Sequence, residues 1–319
     1  MASSAECAVP VGAAKRILLE DVLKVSLCSA VATVDPASLA KANDSILKEG
    51  VFVDSSSLLS AKTFEESSTP VVYCRAALFC RIVSLVNSQS VRSVIIERLC
   101  KLLETSVIPV FSSDADAGYE LLAALTRSPA VKCYVNGAEN IQSADVATQD
   151  MELFDLKFTA SEWKTLQSGH FFAVGVGCFL GAVGVRLSSL LDCTAALACD
   201  ALGSNAQANV NSSLDAQLYD AGHQHRGQMA SAGNLRLLLE GSARLTTKPA
   251  ESAAAAAPTL TSFVQIPQVH GPAIEVMAST AKMLEIELNS YQMDASLPFD
   301  ASQVVVAQQM QIAAVSRAW

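Results

Sequence analysis

The sequence predicts a mainly α-helical protein with minor β structure. Three observations carry this. Apolar residues recur at helical spacing in segment after segment. Of 319 residues, 51% are apolar and only 17% charged, a balance that suits buried helices or a large subunit interface and is too apolar for disorder. Alternating apolar–polar runs, the mark of half-buried strands, are scarce.

Taken in order, Arg75–Leu85 reads as a helix. In Val91–Thr105, Val91, Ile95, Leu99 and Leu102 fall on one face and Arg92, Glu97, Arg98 and Lys101 lie elsewhere. Leu121–Arg127 reads as a short helix ended by Ser128-Pro129. Thr159 and Glu162 stand at capping-box spacing and mark the start of a long apolar helix. Leu187–Leu202 continues as helix, with Gly203-Ser204-Asn205 as its stop. Gly227–Glu240, Ala273–Ser290 and Val304–Ala318 are further helices. Lys248–Pro258 suits helix through its five consecutive alanines and a surface connection through its flanking prolines. Val51–Val53 and Val131–Val135 are the fair strand candidates. No internal repeat is evident.

The net charge of −9 and the lack of a basic patch argue against nucleic acid as a partner. Nine cysteines stand singly in apolar contexts without C-x-x-C spacing, which reads as reduced thiols in a cytoplasmic protein. Met1–Gly12 lacks the basic and apolar runs of a secretory signal. Thr165–Val185 carries no Asp, Glu, Lys or Arg. Its truly apolar part, Phe171–Val185, falls short of the roughly 20 residues a membrane span requires. A helix buried in a bundle is therefore expected, and no membrane partner.

The motifs that bear on function are short. They are Val91-Arg92; Leu102-Leu103 followed by Ile108-Pro109-Val110; Thr165-Leu166-Gln167-Ser168-Gly169; His225-Arg226-Gly227-Gln228; Asn234–Ser242; Ile266–Pro272; and Glu285–Ser290. In this order they resemble the histidine and phenylalanine ammonia-lyases, the correspondence beginning near Arg75. The resemblance implies a fumarase/aspartase-like central bundle of long helices with a small α+β N-terminal part. It divides the chain into a divergent segment (1–74), a part resembling the family's cofactor-bearing region (75–150) and a central bundle part (151–319), without the family's C-terminal helices. It also implies an oligomer, since the family assembles as tetramers whose active sites draw on three subunits.

The family's chemistry requires an electrophile, methylidene-imidazolone, made from an internal Ala-Ser-Gly whose serine hydroxyl is lost. No Ala-Ser-Gly occurs in this chain. The nearest placement is Asp116-Ala117-Gly118, and Ala117 has no hydroxyl to lose, so no cofactor is expected. Ser168 stands where the family has asparagine. Pro258, Thr261 and Val264 stand where it has glutamine, tyrosine and the substrate-binding arginine, and valine cannot replace a bidentate guanidinium. Phe299 survives from a further motif, in Pro298–Ala301. Retained motif residues are His225, Gln228, Ser262, Gln268, His270 and Asn289.

Among these, Gln268, His270 and Asn289 read as buried hydrogen-bonding groups that fix helix geometry. His223, His225 and His270 offer only a weak case for metal, and none is expected. Asp114 and Asp116 read as turn residues rather than an acid–base pair. The resulting expectation is a catalytically inactive ammonia-lyase-like subunit, structural or regulatory, in a homo- or hetero-oligomer. The alternative is a divergent lyase acting on L-histidine or another aromatic amino acid, active only with a paralogous subunit.

Overall fold

The protein is described here from a computed structural model that places residues 7–12, 16–40, 52–53, 68–137, 140–149, 156–202, 225–243, 263, 265–290 and 309. Two compact units emerge from its contacts. One comprises Met1–Ala182 with Met283–Ala307, the other Val183–Lys282 with Gln308–Trp319. This partition cuts through two long helices and differs from the segmentation 1–74, 75–150 and 151–319, which followed motif resemblance and not contacts.

The first unit is built around α2 (Val71–Ser88). Cys74 through Val83 are buried without interruption, so the helix shows almost no polar stripe. It is apolar and long enough to cross a membrane, as is the stretch Ala160–Leu202, but two thirds of α2 lies inside this structure. α1 (Leu19–Ser26) packs against α2, as does α3 (Ser93–Glu104). A buried cation, Arg75, joins the three. Its Nε donates to the Val25 carbonyl (2.9 Å), its Nη2 to the Leu103 carbonyl (3.1 Å) and its Nη1 to Ser106 Oγ (3.3 Å). Three fixed acceptors compensate in part for removing the guanidinium from water.

Short strands edge this unit. β1 (Cys7–Val11) pairs in parallel with β2 (Ala30–Val34), in register Cys7 to Ala30, with α1 as the crossover between them. β3 (Phe52–Val53) pairs antiparallel with β7 (Phe158–Thr159). β4 (Val107–Pro109), β5 (Lys132–Val135) and β6 (Ile141–Ser143) form an antiparallel sheet in that order. Both strand candidates read from the sequence are present, β3 and β5. The others were missed because each is only two to five residues long, too short for a clear alternation.

Between β4 and β5 lies α4 (Ala117–Leu125), and after β6 comes α5 (Ala144–Ala147). α6 (Ala160–Gln167) packs against α4. Its capping box is present: Thr159 Oγ1 accepts from the Glu162 amide, and Glu162 Oε2 accepts from the Thr159 amide. The cap begins α6 alone, however, and not the long apolar helix. Ser168-Gly169-His170 interrupt the chain before α7 (Phe171–Leu202) starts. Gly169 has φ +96°, a conformation that favours glycine. Arg81 Nη1 lies 3.2 Å from where its Cβ would be.

The second unit holds Val183–Leu202 of α7, α8 (Arg226–Leu239) and Ile266–Lys282 of α9 (Ile266–Asn289). Ala196, Cys199, Ala232 and Leu235 form its core, with Met229 and Phe263 packed against them. The motif Ile266–Pro272 is helical throughout, with Pro272 inside α9. Gly227 of one motif meets Gly271 of the other: a Cβ on Gly227 would lie 2.1 Å from the Gly271 carbonyl oxygen. The two retained motifs are thus the two sides of one close helix contact. Gly203–Asn205, Lys248–Pro258 and nearly all of Val304–Ala318 fall outside the described residues.

Close approach of α7 to α2 depends on Gly175, whose Cβ would lie 2.4 Å from the Ala77 Cα. Backbone cannot yield as a flexible side chain can. Gly175→Ala is expected to destabilise the protein by about 1–3 kcal/mol, the usual cost of overpacking. A denaturant titration of wild type and variant checks this, and an unchanged midpoint would refute the packing described.

Candidate functional site

In the first unit the chain folds Asp116-Ala117-Gly118 against the end of α6 at Gln167-Ser168. Phe111–Asp116 is shaped by Glu120, a buried carboxylate that accepts from the Ser112 amide (3.0 Å) and Ser112 Oγ (2.5 Å). Asp116 precedes α4 and accepts from Ser113 Oγ (3.1 Å), which is turn chemistry as expected. Ala117 and Gly118 are buried at the start of α4. A Cβ on Gly118 would lie 2.2 Å from the Gln167 carbonyl oxygen, one residue before Ser168. Here the methyl of Ala117 occupies a regular helical position, with its amide donating to the Ser113 carbonyl (2.9 Å). These residues do not fit a methylidene-imidazolone: there is no hydroxyl at the central position to eliminate.

Asp114 does more than turn the chain. Its Oδ2 lies 2.5 Å from His170 Nδ1 and its Oδ1 accepts from the Ala173 amide (2.9 Å). It therefore ties the loop before α4 to the start of α7, where an acidic group also suits the helix dipole. Both partners are only part-buried.

Beside this pair lies a cavity of about 330 Å³. Arg81, Ser84, Ser168, His170, Glu287 and Phe171 are among its lining residues. Arg81 is 4% exposed. Its Nη2 donates to the Thr165 carbonyl and its Cζ lies 5.1 Å from the centre of the Phe171 ring. Burial lowers its pKa to about 10, so it stays charged at neutral pH. Burial raises the carboxyl of Glu287, an effect the charge of His170 partly opposes. The thiols are poor nucleophiles by contrast: burial pushes Cys74 and Cys133 up to about 12. The hydrogen bond with Cys80, then burial, raises Cys178.

Asn289 also belongs to this unit. Its amide copies a strand pairing, with Oδ1 accepting from the Ile17 amide and Nδ2 donating to the Ile17 carbonyl, both at 2.8 Å.

The second unit holds a buried polar cluster centred on Asp192, 1% exposed. Oδ1 accepts from Ser231 Oγ (2.6 Å) and meets His270 Nδ1 (3.0 Å); Oδ2 accepts from Asn234 Nδ2 (2.8 Å). Serine and histidine each bond to the carboxylate, an arrangement that secures three helices rather than aligning a histidine on a serine. His270 is buried, as read from the sequence. Gln268 is not: it is exposed, because its place on α9 faces away from the core that Pro267 and His270 enter. His225 is exposed at the start of α8, and Gln228 is half-buried against Gly271. No group of three metal-ligating side chains occurs among the described residues. Thr261, Ser262, Val264, Phe299 and His223 lie outside them.

Comparison with known proteins now bears on this geometry. The family model for aromatic amino acid lyase matches residues 32–302. The chain belongs to the aromatic amino acid lyase family. Among the curated aromatic amino acid lyases it is similar to the phenylalanine ammonia-lyase lenB of Aspergillus lentulus, 27% identical over 70% of this chain and 32% of that protein. It is also similar to the histidine ammonia-lyase of Symbiobacterium thermophilum, 31% identical over 68% of this chain and 42% of that one. The chain thus spans well under half the length of these relatives. The fold matches the tyrosine aminomutase of Streptomyces globisporus with a TM-score of 0.78 at 20% identity, over 97% of this chain and 69% of that structure. The family's helical bundle is the fold expected from the motifs. The match also extends upstream of Arg75, where the motif reading began.

Arg81, His170, Asp192 and Glu287 were not singled out from the sequence as site residues, and Asp114 was read there only as a turn residue. Arg81 carried the one usable signal, a charge alone in the apolar run Ala76–Val83.

The Asp192 cluster has a pH signature. Burial alone raises its carboxyl, but hydrogen bonds from His270, Ser231 and Asn234 outweigh this and lower it. A lowered folded-state pKa adds stability above the ordinary carboxylate value of about 4, lost as pH falls through that range and below. Asp192→Asn is expected to weaken the protein at neutral pH and to flatten its stability profile below about pH 4. Chemical unfolding at a series of pH values checks this; an unchanged acid slope would remove Asp192 from the account.

Proposed function

We propose that this chain is a catalytically inactive member of the aromatic amino acid lyase family, serving as a structural or regulatory subunit of a cytoplasmic oligomer. The observation that carries the proposal is Ala117. The elimination chemistry of the family needs an electrophile formed by loss of a serine hydroxyl. The chain holds no Ala-Ser-Gly, and its aligned position carries a buried methyl in regular helix. The substitutions at Ser168, Thr261 and Val264 point the same way.

What remains favours assembly. The Asp192 cluster, the Gly227–Gly271 contact and the Asn289 clamp are all intact, and each fixes helix geometry. Several large apolar side chains are nonetheless exposed in the second unit, among them Leu190 (55%), Leu197 (71%) and Leu237 (72%). Such apolar surface suits contact with another subunit.

Purified protein is expected to release no urocanate from L-histidine and no cinnamate from L-phenylalanine, followed by ultraviolet absorbance. Ala117→Ser is expected to leave that unchanged, because one hydroxyl restores neither the Ala-Ser-Gly context nor the substrate arginine. Product formation by the chain alone would overturn the proposal. Purification from its own cells with an active Ala-Ser-Gly paralogue, with activity exceeding that of the paralogue alone, would favour a complementing subunit over an inert one.

A further inference from the structure

Arg81 is a buried cation. Among the described residues no carboxylate pairs with it, and its Nε has no hydrogen-bond partner. A buried guanidinium left in this state is costly, and proteins ordinarily satisfy such groups. Arg81 nevertheless lines a cavity large enough for a small molecule. We infer that this cavity binds a small organic carboxylate, with Arg81 as its anchor.

The hydroxyls around the cavity decide the class of anion. Ser88 Oγ donates to the Leu85 carbonyl (3.2 Å) and Ser168 Oγ to the Thr165 carbonyl (3.1 Å). Ser290 Oγ donates to the Ile286 carbonyl (2.7 Å). Their protons are committed, so they present lone pairs to the cavity. Ser84 has no side-chain hydrogen bond among the described residues and keeps its proton to give. Ser84 thus adds a donor to the Arg81 guanidinium, and Ser90, 2.7 Å from Ser88 Oγ, and His170, held through Nδ1 by Asp114, are further polar groups on the cavity wall. This small set suits the two oxygens of a carboxylate. A sulfate or phosphate would leave acceptor oxygens facing serine lone pairs and the acidic Glu287. Leu85, Val174 and Leu288 supply an apolar wall for the organic part.

The anchor is not the arginine through which the family holds its substrate, whose aligned position here is Val264. The site is independent of whether the chain is catalytically inactive. If the purified protein turned over an aromatic amino acid, the proposed function would fall and the carboxylate site would stand.

Isothermal titration calorimetry on the full chain with sodium benzoate, benzamide and sodium sulfate tests the inference. Benzoate is expected to bind saturably, and neither neutral benzamide nor sulfate to match it. Arg81→Gln is expected to weaken benzoate by about tenfold to a hundredfold, the range for losing a charge-assisted hydrogen bond. Because Arg81 also holds the Thr165 carbonyl, a second variant keeps the test clean. Ser84→Leu fills the cavity and leaves the guanidinium in place, and it too is expected to abolish binding. Absence of saturable benzoate binding, unchanged binding in Ser84→Leu, or benzamide or sulfate binding as tightly as benzoate would each overturn the inference.

Discussion

Much of the first unit's geometry depends on one fully buried carboxylate, Glu162. It closes the capping box of α6, and it takes Arg92 in a two-pronged ion pair, Nε to Oε1 at 2.7 Å and Nη2 to Oε2 at 3.0 Å. The Arg92 amide adds a further hydrogen bond at the start of α3. Burial alone would raise this carboxyl, yet the arginine and the two amides lower it. A buried charge is tolerated only when its hydrogen-bonding capacity is met, and here it is. With α6 held in this way, Gln167 meets Gly118, the chain breaks at Gly169, and His170 reaches Asp114. The cavity and the loop Phe111–Asp116 both inherit their positions from that sequence of contacts.

The retained and altered residues separate along this line. Arg92, Gly227, His270 and Asn289 belong to an ion pair, a close helix contact and two side-chain clamps, and Gln228 packs against Gly271. Under the proposed reading, Ala117, Ser168 and Val264 stand where the family's reaction needs specific groups. His270 illustrates the point. Its Nδ1 is engaged by Asp192, so its value to the fold does not depend on any substrate.

Legibility in the sequence followed the range of the interaction. α3 could be read because its apolar stripe faces one side, and the Thr159 cap because its partner lies three residues away. α2 was under-read at both ends: burial on nearly every face removes the periodicity that marks an amphipathic helix. The parallel pair β1–β2 escaped notice because each strand is five residues long and a parallel pairing leaves no hairpin turn in the sequence. Gln268 and His270, two residues apart in a helix, necessarily point to different sides; treating both as buried ignored the helical period. The site was the least legible part. Asp114 and His170 are 56 residues apart, Asp192 and His270 are 78 apart, and no local pattern joins them.

Arg81 gives the chain a binding capacity that does not depend on whether it catalyses the family's reaction. An arginine within the buried run Cys74–Val83 must be neutralised, solvated or bound, since the guanidinium remains charged at neutral pH. Arg75, six residues earlier on the same helix, is fully engaged by Val25, Leu103 and Ser106. Arg81 gives one nitrogen to Thr165 and the face of its guanidinium to Phe171, keeps its Nε sealed without a partner, and lines a cavity. The two arginines share a helix and a chemical type, and they differ in whether the protein itself completes their coordination. For Arg75 the fold is the partner. For Arg81 the fold supplies the cation, the walls and one hydroxyl, and leaves the anion to be brought from outside.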